Sequence, residues 1–295
     1  MRTNRRRLRG RFGGVRRLAA LCLLLLAAAA PVPPTAKPTP RPPPRPIARP
    51  ADIADQLAML AFDANPLWAL PARDVLARWA GPMNLFLFGR AEDRIDAQAA
   101  LRALARPTGL KLQLLTENQA ARIAPNAFIV ADENLALALR GPLRGMLRNA
   151  FAGDEATVEE FLATVVERTP CWMLPVWADD NRSTIRAAII GVDATRPRAE
   201  TRACLLRGLG AALGPMGPGA FLPGSAFAPA LPTAPGPATA PGLAAKLSRE
   251  DERMLRTLYS RALHPGMPRD EMLAAARKSL ASTPKRKPPV KPPAP

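Results

Sequence analysis

The chain has 295 residues, 48% of them hydrophobic, with 35 prolines, three cysteines, one histidine and a formal charge of +18. One histidine is a poor ligand supply for metal hydrolysis, because catalytic zinc takes three protein ligands, usually histidines joined by a carboxylate or cysteine. Nor does the charge mark a nucleic-acid-binding domain. Residues 1–17 hold +8, residues 31–50 hold +4 and residues 283–295 hold +4, which leaves +2 for residues 51–282, from 26 basic and 24 acidic side chains. A nucleic-acid-binding domain concentrates its positive charge on one face of the folded part.

Residues 1–30 read as an export signal. Eight arginines and no acid are followed by "LAALCLLLLAAAA", an uncharged run closing in small residues. That run is shorter than the roughly 20 residues a membrane span needs. Cleavage is expected near Ala29 or Ala30, giving a periplasmic or secreted protein; an uncleaved signal anchoring it in the inner membrane is the alternative. Residues 31–50 contain ten prolines and read as an extended polyproline spacer. The basic tail 283–295 repeats that composition. Both either lie loosely against anionic envelope polymers or merely stay solvated.

Residues 51–282 suffice for one domain with a real core. A short helix over 51–65 stops before Pro66. Met83–Phe88 is a strand by its apolar, aromatic-rich run. A helix follows, with apolar residues at Ile95, Leu101 and Leu104 and stop signals at Pro107 and Gly109. "LKLQLL" and Ala127–Ala131 are two more strands. The helical stretch after them is interrupted at Gly141–Pro142. Asp154 is placed to cap a helix whose stripe is Val158, Phe161, Leu162 and Val165. Two strands then flank the turn Asp179–Asp180–Asn181, and Cys204 lies in a helical segment beyond them. Residues 215–245, with eight prolines, form a long irregular insertion. Ser248 and Asp251 start a helix that turns Leu255, Leu258 and Tyr259 inward, and a terminal helix lies near 269–281. The expected class is α+β, with a small mixed sheet and a helical C-terminal part.

Two cysteines, Cys171 and Cys204, survive removal of the signal. In an oxidising compartment they point to one disulfide, with two buried thiols as the alternative. "GLGAALG" at 208–214 has dinucleotide-loop spacing, but Pro215 stops the helix and no acid occurs between Glu200 and Glu250, so the fingerprint is incomplete. Ser225 and His264 could form a hydrolase pair only if the fold brought them together. Among the acids, Asp154–Glu155, Asp179–Asp180 and Glu159–Glu160 are each explained by a helix start, a turn or a solvated face. No cofactor is called for. Trp172 and Trp177 either line an interaction surface or enter the core.

"RWAGPMNLFLFG", "ARPTGLKLQLL", "NAFIV", the paired cysteines, "CLLRGLGAALG", "SAF" and "LSREDERMLRTLYSRALHPGM" stand in an order that resembles the DUF2927 family of exported bacterial proteins, over roughly residues 70–280. Its members commonly carry C-x-x-E-E-x-x-Q-x-L-G at the glycine helix, a stretch similar to a worn zincin motif, H-E-x-x-H-x-x-G. Carried over by position, the first metal ligand falls on Arg207, the general base on Gly208, the second ligand on Ala211 and the final glycine on Gly214. Ser260 and Ala262 likewise stand where the family often has Asp and Arg. In a working site the two histidines share one helix face and the glutamate sits beside the metal-bound water. The resemblance therefore implies a zincin-like core with a degenerate site, whose glycines let the helix approach the sheet. The function expected is a non-catalytic module that binds an envelope protein or polymer. The alternative is a periplasmic hydrolase of peptide or cell-wall substrates with a carboxylate-based site.

Overall fold

The computed structural model describes residues 50–218, 224–227 and 245–282. The expected export signal, both terminal spacers and most of the 215–245 insertion lie outside them. The fold is built around β6 (Thr184–Asp193), which uses both of its edges. On one it pairs antiparallel with β5 (Cys171–Trp177). On the other it pairs parallel with β4 (Ala127–Asp132) and, at its start, with the two-residue β1 (Arg78–Trp79). Beyond β4 lie β2 (Met83–Phe88) and β3 (Leu112–Leu114), again parallel. The sheet therefore runs β3-β2-β4-β6-β5, with one antiparallel edge. It is the mixed sheet of an α+β domain.

Residue choice follows these positions. In β2, Met83, Leu85 and Leu87 are buried and alternate with half-buried neighbours, the period of a strand with unequal faces. β6 is buried continuously from Ala188 to Val192, as a strand covered on both faces must be. The coverings are readable at two successive residues, which point to opposite faces. Ile190 meets α7 (Arg198–Ala212) at Gly208, while Gly191 makes room for the indole of Trp172. Trp172 in turn meets Phe161 of α6 (Glu155–Phe161) edge-on at 5.1 Å. Asp154 caps α6 by accepting from the Ala156 and Thr157 N–H groups.

α2 (Ala91–Thr108) packs beside α7. It runs through Pro107 and ends at Gly109, whose φ of 69° supplies the left-handed residue of a C-cap. Ile95 does not face inward: it is 59% exposed. The buried face instead carries Asp93 and Asp96. Asp93 accepts the Arg90 N–H at 3.0 Å, and Asp96 binds Arg198 and Arg202 of α7 at 3.1 and 3.0 Å. Short helices α3 (Glu117–Ala120), α4 (Leu135–Arg140) and α5 (Arg144–Ala150) fill the connections.

The two ends of the domain meet. α1 (Pro50–Phe62) packs on α9 (Arg269–Ser282), with Asp63 bonded to Arg269 at 2.7 Å and Asp55 to Arg277 at 2.8 Å. Those pairings make the two helices antiparallel. α8 (Arg249–Leu258) packs against both and starts in the expected capping box of Ser248 and Asp251. Leu255 and Leu258 are buried and Tyr259 donates its hydroxyl to the Leu213 carbonyl at 2.7 Å.

Candidate functional site

Of the four positions matched to that motif, Arg207, Gly208 and Ala211 lie on α7 and Gly214 follows its end; every residue from Ala203 to Ala212 is buried. A helix enclosed on all sides has no need of a polar stripe, which accounts for the glycines and the lone arginine in a stretch without amphipathic pattern. A Cβ on Gly208 would stand 2.6 Å from the Ile190 Cγ2, so this glycine does bring the helix against the sheet. Gly210 does not serve the same purpose. A Cβ there would meet the Phe227 ring at 2.5 Å, so it seats the segment 224–227 instead. Gly214 has a φ of +129° and leads the chain away beside the Ala77 carbonyl. Ala211 is buried with no polar atom to offer.

Arg207 is 4% exposed. Its guanidinium lies over the indole of Trp68, 5.2 Å from the ring centroid, and donates to the Pro218 carbonyl at 3.4 Å. All 24 acidic side chains belong to the described residues. None of the ion pairs found there includes Arg207. Burial alone pulls its pKa down to about 10, which leaves it a cation at neutral pH.

A cover lies over this face. Trp68 ends a 3-10 turn, Pro66–Trp68, and its indole N–H donates to the Cys171 carbonyl at 2.8 Å. The Asn65 amide donates to the carbonyls of Met216 and Gly217 at 3.0 and 3.2 Å, and the Gly217 N–H returns to Leu60 at 2.7 Å. The chain before the turn is thereby clamped to the chain leaving α7. A Cβ on Gly217 would meet the Met59 carbonyl at 2.3 Å, so only glycine allows the approach.

The edge strand is blunted at the same place. The Asp193 N–H bonds the Pro170 carbonyl. By the alternation of an antiparallel pair, the main-chain groups of Cys171, Met173 and Pro175 point away from β6. Trp68 occupies the Cys171 carbonyl, and Pro175 has no N–H to present. The Cys171 and Cys204 sulfurs stand at disulfide distance, 2.16 Å, with Cα atoms 5.6 Å apart. The bridge ties the start of β5 to α7 one turn before Gly208.

The other candidates are placed as follows. Ser225 is buried and donates to Asp251 at 2.5 Å while accepting from the Phe227 N–H. His264 is exposed beside the Pro265 carbonyl, and no hydrogen bond links the two, so they form no hydrolase pair. Asp179 closes its turn onto the Ser183 N–H and hydroxyl at 2.8 and 2.9 Å. Glu155 and Glu159 pair with Arg144. Trp172 is fully buried and contributes to no surface; Trp177 is half-buried. Among the described residues no three His, Cys, Asp or Glu side chains are placed to hold one metal ion, and no helix is long and apolar enough to cross a membrane.

Two residues central to this region carry no sequence expectation. Trp68 and Asn65 reach partners more than 100 positions away. Only the tryptophan two residues after a helix-stopping proline, in "NPLW", hints at a buried anchor. Asp251 was read as a helix start, yet it also receives Ser225 and the Ala226 N–H. No family model matches the chain, and no curated protein matches it.

Proposed function

We propose that the chain is an exported, non-catalytic module that binds a partner in the cell envelope. It is built on a zincin-like core similar to that of the DUF2927 family, with the metal-binding face turned over to packing. One observation carries this reading. The position of the first ligand holds a guanidinium beneath a tryptophan, the general-base position is a glycine pressed on Ile190, and the second ligand position is a buried methyl group. A cation and two side chains without lone pairs cannot bind or activate a metal-bound water. The order of strands, with an antiparallel edge strand, then the central strand, then α7, supports the same reading. The basic spacers are suited to a salt-sensitive contact with anionic envelope polymers. The carboxylates on which a hydrolase reading drew, Asp154, Asp179 and Glu159, are engaged in a cap, a turn and an ion pair.

The test is elemental analysis of the purified, oxidised protein after incubation with zinc, run beside peptidase and cell-wall hydrolysis assays. We expect no stoichiometric metal and no turnover. One tightly held zinc per chain, or turnover that a chelator abolishes, would overturn the reading.

A further inference from the structure

The parallel strands β4 and β6 end side by side at one edge of the sheet, at Asp132 and Asp193. A groove of about 330 Å³ lies at that edge, between the loops that follow β4 and β6 and the turn that leads into β5. Small-molecule pockets span roughly 300–1,000 Å³, so this one suits a ligand no larger than a dipeptide. Its lining carries both signs of charge: Arg168, Arg196 and the Asn134 amide, against Glu133, Glu167 and Asp193.

The backbone gives a second, independent indication. α6 does not simply end; it continues into a π-turn, Leu162–Val166, closed by the Glu167 N–H on the Leu162 carbonyl at 3.1 Å. Such turns close helix C-termini, and π-type backbone is frequent at functional sites. Here the turn comes directly before Glu167 and Arg168 and so sets where both enter the groove wall.

The polar groups are also unevenly committed. Asp193 is held within its own turn, by the Thr195 N–H at 2.9 Å and the Thr195 hydroxyl at 2.6 Å, and Arg196 is drawn to it at 3.4 Å. Glu133 and Glu167 each place one oxygen on an arginine, Arg90 at 3.6 Å and Arg140 at 2.6 Å, and the other oxygen of each enters no ion pair among the described residues. The Asn134 oxygen caps the Leu137 N–H, which leaves its NH₂ as a donor. Arg168 enters none of the ion pairs among the described residues.

We propose that this groove binds a small zwitterion, an amino acid or dipeptide. Its carboxylate is received by Arg168 and the Asn134 NH₂, and its ammonium by those second oxygens of Glu133 and Glu167. The site is separate from the α7 face and stands whether or not that face descends from a metal site.

Isothermal titration calorimetry on the full chain tests it, with L-alanyl-L-alanine, its N-acetyl derivative and its C-terminal amide as probes. The expected result is saturable one-site binding of the free dipeptide, weakened roughly tenfold or more by either blocking group and by Arg168→Gln, the effect of losing one charge-assisted contact. Arg168 is exposed, so an unchanged melting curve will show that the variant still folds. Absence of saturable binding at millimolar dipeptide would sink the proposal. So would equal affinity for the N-acetyl form, which marks a plain anion site, or native affinity in Arg168→Gln.

Discussion

The indole of Trp68 covers the guanidinium of Arg207 and, from the same ring, donates its N–H to the carbonyl of Cys171. A single side chain from outside the sheet thus closes both the face of α7 and the outward edge of β5. No carboxylate among the described residues pairs with Arg207; the ring above it and the Pro218 carbonyl both offset its desolvation.

Trp68→Ala should destabilise the protein by roughly 3–5 kcal/mol, the usual cost of deleting a buried aromatic. Trp68→Phe keeps a ring over Arg207 and loses the bond to Cys171, at a cost of about 1–3 kcal/mol for the bond and the unpaired carbonyl. Arg207→Met removes a buried charge while keeping much of the volume, and should be neutral or stabilising. Urea denaturation of the three variants checks the set. A loss of several kcal/mol in Arg207→Met would show that the cation has a partner of its own.

Rebuilding the motif should fail. In the triple variant Arg207→His, Gly208→Glu, Ala211→His, the new Cβ at 208 starts 2.6 Å from Ile190, and its carboxylate enters an apolar layer. Overpacking alone costs about 1–3 kcal/mol, and an unpaired buried charge adds several more. The expected outcome is a protein with a much lower melting temperature that holds no stoichiometric zinc. A folded variant with one zinc per chain would show that the core can reopen around α7.

Reducing the Cys171–Cys204 bridge, or replacing both cysteines by serine, should cost about 3–4 kcal/mol for a closed loop of this length. For a domain of this size that corresponds to a fall of roughly 6–15 °C in Tm. Both cysteines are under 10% exposed, so a mild reductant should act slowly on the native protein and quickly once denaturant is added. Thiol counting over time distinguishes the two regimes.

Asp251 offers a pH test. Burial raises its carboxyl above the ordinary 3.8, against the opposing pull of bonds from Ser225, Ala226 and Ser248. The folded state therefore keeps this proton to higher pH than the unfolded chain does, and the group's contribution to stability falls as pH rises from about 4 through the folded pKa. Asp251→Asn should flatten that part of the stability profile while keeping most of the bonds. Asp251→Ala leaves several buried donors unpaired and should cost about 3 kcal/mol or more, with faster proteolysis between residues 215 and 245. Denaturation midpoints across pH 4–7 for the three proteins decide it.

Local chemistry was legible from the sequence where neighbours decide the outcome. The strand Met83–Phe88, the Asp154 cap, the Asp179 turn and the Ser248–Asp251 start depend on residues within a few positions of one another. Which face α2 buries was not legible, because apolar spacing alone cannot show that Arg198 and Arg202 of α7 meet Asp96 on the buried side and leave Ile95 exposed. Trp172 was open between surface and core until Gly191, nineteen positions on, was seen to vacate the space for its ring. The glycine helix could be matched by position to a motif, but what covers it could not be inferred. Trp68, Asn65 and Gly217 reach that face only through contacts across more than 100 residues.

The antiparallel pairing of α1 with α9 has a mechanical consequence. Pro50 opens one helix and Ser282 closes the other, so the chain enters and leaves the domain at the same end of the pair. Tension applied between the two flanking segments would not shear the helices past each other. It would unzip them from that end, with Asp55–Arg277 giving way before Asp63–Arg269. The sheet and the clamped α7 would bear load only after α1 had peeled off. A domain strung this way takes up load at one end of the pair, through α1 and α9, before any of it reaches the sheet.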